Sequence, residues 1–164
     1  MGSIVILFIL AIYGGILFLV FGGMWKTFTK AGQPGWACLV PIYNFLVMAD
    51  IARVSRNQVW KAMVTGILGG VVYMGTIFQT IMNGEEPSGM MFTIGLLVYL
   101  VALVLTLVFL FPIYKGIALN FGQSVGFAWG LMLLNIVFFP ILGFGSARYQ
   151  GGSYLNDDLL DSGL

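Results

Sequence analysis

The sequence predicts an all-α integral membrane protein: four transmembrane helices plus one short re-entrant or interfacial helical segment at 36–49. Three observations carry this. First, 60% of the 164 residues are hydrophobic and only 8% are charged. A soluble domain carries roughly 25% charged residues, so this chain cannot cover a folded surface with polar groups in water. Second, uncharged apolar runs recur along the chain at about the 20-residue length that crosses a hydrocarbon core of ~30 Å. Third, tryptophans and basic residues bracket those runs, as they do at membrane interfaces.

Residues 3–24 form the first predicted span. No Lys or Arg precedes it, so it reads as a permanent helix rather than a signal peptide. Gly14-Gly15 and Gly22-Gly23 inside it allow close helix approach in lipid. Residues 25–30, with Lys26 and Lys30, read as a short amphipathic piece at the headgroups. Gly32-Gln33-Pro34-Gly35 then stops the helix. Residues 36–49 are apolar but would reach only about 21 Å as a helix, with Pro41 and Asn44 in the middle. A run of that length is more often re-entrant or interfacial than spanning. The second, third and fourth spans fall at 62–82, 90–114 and 127–147. Together residues 1–147 make one helical membrane domain. A polar tail, 148–164, follows.

Counting charges chooses between arrangements, because Lys and Arg favour the cytoplasmic side. With four spans, Lys26, Lys30, Arg53, Arg56, Lys61 and Lys115 share one face. Arg148 lies on the other with Glu85, Glu86 and the acidic tail. Five spans, with 36–49 crossing, is the alternative and nearly abolishes the bias. The expectation is therefore four spans with both termini extracytoplasmic.

Composition also limits the chemistry. The chain has no histidine and one cysteine, Cys38, which removes imidazole-ligated haem, most zinc sites and every histidine-based triad. A net charge of +1 makes no electrostatic case for nucleic acid. No cofactor and no metal is expected. Asp50 with Arg53 or Arg56 reads as a solvated loop pair, and Asn44, Thr76, Gln79 and Asn135 as interhelical hydrogen-bonding groups. Two rows of small residues, Ala62-Gly66-Gly70 and Gly126-Gly130, put backbone on one helix face for packing, within the chain or against a partner.

The sequence echoes itself. Gly32-Gln33-Pro34-Gly35-Trp36-Ala37 resembles Gly122-Gln123-Ser124-Val125-Gly126-Phe127-Ala128, and Pro41-Ile42-Tyr43 recurs as Pro112-Ile113-Tyr114 and more loosely as Pro140-Ile141-Leu142. Such echoes mark transporter repeats, or else the recurrence of Gly, Pro and aromatics at membrane entry points.

The run Trp25-x-x-Phe28-x-Lys30-Ala31-Gly32-x-Pro34-Gly35-Trp36-Ala37, followed by Pro41-Ile42-Tyr43-Asn44, resembles the signature of a family of small bacterial integral membrane proteins of uncharacterised function. Gly126-Phe127, Pro140 to Gly145, and Tyr149 are similar to that family's C-terminal part. The resemblance implies a few-helix fold in the bacterial cytoplasmic membrane. A signal peptidase I activity is sometimes attributed to such proteins. A Ser–Lys hydrolase needs a serine beside a lysine of lowered pKa, and the predicted topology puts every lysine opposite the extracytoplasmic serines.

The expected function is a non-catalytic accessory or scaffolding subunit of a bacterial inner-membrane complex. Its partners would be the lipid bilayer and other membrane subunits, with no nucleic acid. A small transporter or channel using the broken segment 32–49 is the alternative, and a membrane enzyme comes third. The residues singled out for a partner or structural role are Lys26, Lys30, Gly32, Pro34, Gly35, Trp36, Pro41, Tyr43 and Asn44.

Overall fold

A computed structural model describes residues 2–83 and 89–151. The acidic turn with Glu85 and Glu86, and the tail beyond residue 151, lie outside the described residues. All regular structure among the described residues is helical: α1 (Gly2–Lys30), a 3-10 helix (Gly35–Leu39), α2 (Pro41–Ala52), α3 (Asn57–Asn83), α4 (Gly89–Asn120), α5 (Val125–Leu133) and α6 (Asn135–Phe144).

Three of these, α1, α3 and α4, are long and apolar enough to cross a membrane. At 1.5 Å per residue they reach about 44, 40 and 48 Å. Each overruns its predicted span. Residues 25–30 continue α1 rather than forming a separate headgroup piece. Residues 116–120, beyond the predicted span at 90–114, form the last turn of α4. Pro112 lies inside α4, costing one backbone bond without ending the helix.

Residues 127–147 are not one helix. They divide into α5 and α6, of nine and ten residues, about 14 and 15 Å long and too short to span. The break falls at Leu134, whose φ of −126° and ψ of 49° leave the helical region. Its cause is tertiary. The Phe127 and Phe138 rings meet edge to face at 4.9 Å, whereas a continuous helix would hold them about 16 Å apart. Gly130 leaves its face open to the Phe138 ring. The two short helices therefore fold back on each other.

The chain divides into two compact units. One comprises 55–110, the other 1–54 and 111–164, and α4 contributes to both. In the first, α3 and α4 form an antiparallel pair. Ala62, Gly66, Gly69, Tyr73 and Thr76 face Thr106, Ala102, Tyr99 and Gly95. The alternating four- and three-residue steps on α3 are the seam of a left-handed helix pair. Gly69 lies against Ala102, whereas Gly70 has open space; the seam steps from 66 to 69, and the predicted 62-66-70 row drifts off it. Thr65 Oγ1 and Thr106 Oγ1 share a hydrogen bond at 3.1 Å across the pair.

In the second unit the core is Phe28, Val47, Met48, Ile51, Ile113, Ile117, Phe121, Leu131, Phe139 and Leu142, each at most 2% exposed. Helix α1 crosses α6 where Gly23 meets Gly143 and Pro140 with no room for a Cβ on either glycine. The anticipated close approach at Gly22-Gly23 is thus present at Gly23. Gly14 and Gly15 have nothing beside them.

Candidate functional site

The motif Trp25–Asn44 lies at the C-terminal end of α1, where charge, turn and re-entry coincide. Helix α1 ends on Gly32, whose φ of +73° is the left-handed conformation that glycine adopts without steric cost. Gln33 N–H donates to Phe28 O at 2.9 Å and Gly32 N–H to Thr29 O at 3.0 Å, closing the helix in a glycine cap. Pro34, with ψ of 121°, then turns the chain into the 3-10 helix. Gly35 sits against the Trp25 indole with no room for a Cβ. Three residues on, the buried Cys38 thiol approaches Phe21 O at 3.8 Å, about one turn back along α1. The chain is descending alongside the helix it has just left.

Pro41 opens α2 at its first turn, where its missing N–H is harmless. Tyr43 stacks on Trp36 at 5.4 Å and 15°. Asn44 N–H donates to Val40 O at 2.7 Å, while the Asn44 side-chain oxygen is buried without a partner. Helix α2 returns to end at Arg53, in the left-handed region at φ 56°.

The two lysines do different things. Lys30 Nζ donates to Leu142 O at 2.9 Å and Gly145 O at 2.7 Å. These are orphan carbonyls at the end of α6, where a cation also complements the helix dipole. Lys26 Nζ lies 4.8 Å from the Phe144 ring centroid, a cation–π contact. Both lysines thus tie α1 to α6.

Sequence reasoning missed the matching tie from α4 to the end of α2. Asn120 Nδ2 donates to Ile51 O at 2.8 Å, and Tyr149 Oη donates to the same carbonyl at 3.0 Å. Gln150 N–H donates to Asn120 O at 2.7 Å, and Gly116 gives its Cβ-free face to Ala52. The signal available was Asn120 just ahead of a glycine, the position of a polar helix-ending residue. Of the second small-residue row, Gly130 packs on Phe138 within the chain, whereas Gly126 meets only its neighbour Ser124.

Burial raises the Cys38 thiol above its ordinary pKa. No group of three or more His, Cys, Asp or Glu that could hold a metal occurs among the described residues. A groove of about 490 Å³ is lined by Leu17, Phe18, Phe21, Gly22 and Trp25. A smaller one of about 160 Å³ at the α5–α6 hairpin includes Gln123 and Ser146. What this arrangement does chemically is hold backbone: Lys30 Nζ, Asn120 Nδ2 and the Tyr149 hydroxyl all end on main-chain carbonyls.

Three long apolar helices and a set of short ones tied by capped ends define a multi-pass α-helical membrane protein. The chain belongs to a family of unknown function, DUF5684, which it matches over residues 36–152. The match opens at Trp36 and so includes Pro41, Tyr43 and Asn44, while Trp25–Gly35 lie upstream of it. No curated protein and no solved structure matches the chain.

Proposed function

We propose that this protein is a non-catalytic accessory or scaffolding subunit of a larger assembly in the bacterial inner membrane. The observation that carries the reading is the division of α1. In its last two turns Gly23, Met24, Thr27 and Phe28 are buried, but Ile4, Leu7, Phe8, Leu10, Tyr13, Leu17 and Phe18 are all more than half exposed. About five turns of apolar helix, with Gly14 and Gly15 unobstructed, are left for lipid or for a partner helix. Purification in mild detergent with quantitative mass spectrometry tests this. A stoichiometric membrane partner, lost on Gly14→Leu/Gly15→Leu while the protein stays monodisperse, is expected; a chain that runs alone overturns the reading.

The topology we infer has three crossings. Segments 35–52 and 125–144 enter the bilayer from one face and return to it. Support comes from the ties: Lys30 holds Gly145, Gln150 holds Asn120, and the five residue steps from 145 to 150 reach at most about 18 Å. The ends of α1, α2, α4 and α6 then share one face. Arg148 joins the other six basic residues there, which makes that face cytoplasmic and leaves the N-terminus outside. The C-terminal segment thus moves from the extracytoplasmic side expected with four spans to the cytoplasmic one. Cysteines placed at 124 and 148 in a Cys38→Ala background should react with impermeant maleimide in inverted vesicles only. Labelling of 148 in intact spheroplasts restores the fourth span.

A small transporter or channel is a second reading, favoured by the interrupted helices at Val40 and Leu134. Non-helical backbone at membrane depth occurs where it is buried in protein or lines a cavity. Flux through reconstituted vesicles tests it, and none over a broad solute screen removes it.

A further inference from the structure

The echo in the sequence has a three-dimensional counterpart. Helix α1 and helix α4 end in the same way, 90 positions apart. Gly32 and Gly122 have φ of +73° and +70°. Gln33 N–H donates to Phe28 O and Gln123 N–H to Ala118 O, both at 2.9 Å. Gly32 N–H donates to Thr29 O at 3.0 Å and Gly122 N–H to Leu119 O at 2.9 Å. After each turn a short helix leads to a second one, and the first aromatic contacts an aromatic of that second helix: Trp36 stacks on Tyr43, and Phe127 meets Phe138 edge to face.

The contacts between the two halves are also reciprocal. The last residue of α1, Lys30, donates to Leu142 O near the end of α6 at 2.9 Å. The last residue of α4, Asn120, donates to Ile51 O near the end of α2 at 2.8 Å. Donors and acceptors are offset by 90 and 91 positions respectively. Beside each tie the helices cross at a glycine: Gly23 with Gly143, and Gly116 with Ala52. Gly143 and Ala52 are again 91 positions apart, while Gly23 and Gly116 fall within one turn of equivalence. The Pro-Ile-Tyr echo does not belong to this scheme, because Pro41 opens α2 whereas Pro112 and Pro140 lie inside helices.

We infer that residues 22–53 and 112–145 are two copies of one re-entrant module. The surface each copy presents is built to receive the other. The physical reason is backbone satisfaction. A short returning helix ends with carbonyls that its own helix leaves unpaired, and here the donors come from the other module. Each module caps the other's returning helix, so the modules are obligate partners within one chain. The remaining differences mark divergence between the copies: Lys30 carries a charge where Asn120 is neutral, and the descending arm is a five-residue 3-10 helix in one and nine residues of α-helix in the other.

Saturation substitution of the full-length chain, with membrane abundance as readout, tests this independently of any partner complex. Tolerance profiles of the two segments should correlate best at the 90–91 offset, with Gly32 and Gly122 both refusing Cβ-bearing residues other than Asn. At the ties, Lys30→Met and Asn120→Leu should each lower abundance roughly threefold, while Lys30→Arg and Asn120→Gln, which keep a donor, should retain most of it. A correlation no better at this offset than at others overturns the inference. So does free acceptance of Met at 30 and Leu at 120.

Discussion

In residues 57–83 and 89–110 two unbroken helices meet along a seam that includes Gly66, Gly69, Gly95 and Ala102. Across residues 1–54 and 111–151 the packing is different: short helices end inside the unit, and Lys30, Asn120, Tyr149 and the Gln150 amide reach over to satisfy them. The first arrangement depends on shape, since lipid tails provide no hydrophobic drive between helices. The second depends on shape and on donors. Substitutions at small residues should therefore damage both regions, and removal of donors mainly the second.

The largest effect is expected at the α1–α6 crossing. Gly23→Leu or Gly143→Leu forces a side chain into backbone on the opposite helix, at a cost of roughly 3 kcal/mol. The folded fraction should collapse in fluorescence-detected size exclusion, and a monodisperse peak of normal height would contradict the crossing. In the α3–α4 pair the counterpart is Gly69→Leu, which meets the Ala102 methyl and should cost about 2 kcal/mol. Gly70→Leu, one residue on, faces open space and should shift stability by no more than about 0.5 kcal/mol. Equal damage at 69 and 70 would mean that the seam is misplaced.

The same contrast explains what the sequence could reveal. The long helices were legible because 20 or so apolar residues leave few alternatives in a membrane, and Gly32-Gln33-Pro34-Gly35 was legible because its turn chemistry is local. The brevity of the segment after Trp36 was also visible, since Pro41 and the polar residues from Asp50 bound it. The break at Leu134 was not. No glycine or proline stands there, Asn135 is the one polar residue beside it, and the helix ends where Phe138 folds onto Phe127 and Gly130, contacts 8 to 11 residues apart. The acceptors of Lys30 were not legible either: a lysine at the end of a span resembles a headgroup anchor, and its two carbonyl partners lie more than 110 residues away on α6 and its end. Gly66 was placed on the right face, and Gly70 was not, because a row of four-residue steps ignores the three-residue step that keeps a seam straight.

Donor removal comes next in size. Lys30→Met keeps the aliphatic stem but deletes two bonds to the α6 end. At about 1.5–3 kcal/mol for hydrogen bonds to a charged group, reduced by partial exposure, a loss of about 1–2 kcal/mol is expected in SDS or thermal unfolding. Thr106→Val deletes the hydroxyl bonded to Thr65 and should cost only about 0.6 kcal/mol, the average for such bonds between membrane helices. If the two losses were equal, the distinction between a donor-dependent unit and a shape-dependent pair would fail.

Cys38 supplies the smallest change in stability and the most local probe of the re-entrant arm. Its thiol is 3% exposed, and burial raises its pKa, so both access and thiolate fraction are low near neutral pH. Maleimide should therefore modify it slowly from either side of the membrane and quickly once SDS unfolds the chain. Because the folded state resists ionising the thiol, its pKa contributes stability that is intact below the unfolded-state value and lost as pH rises through and above it. Cys38→Ala should remove that alkaline component while leaving neutral-pH stability nearly unchanged. Rapid labelling of the native protein at pH 7 would place residues 35–39 away from Phe21 and open the re-entrant arm.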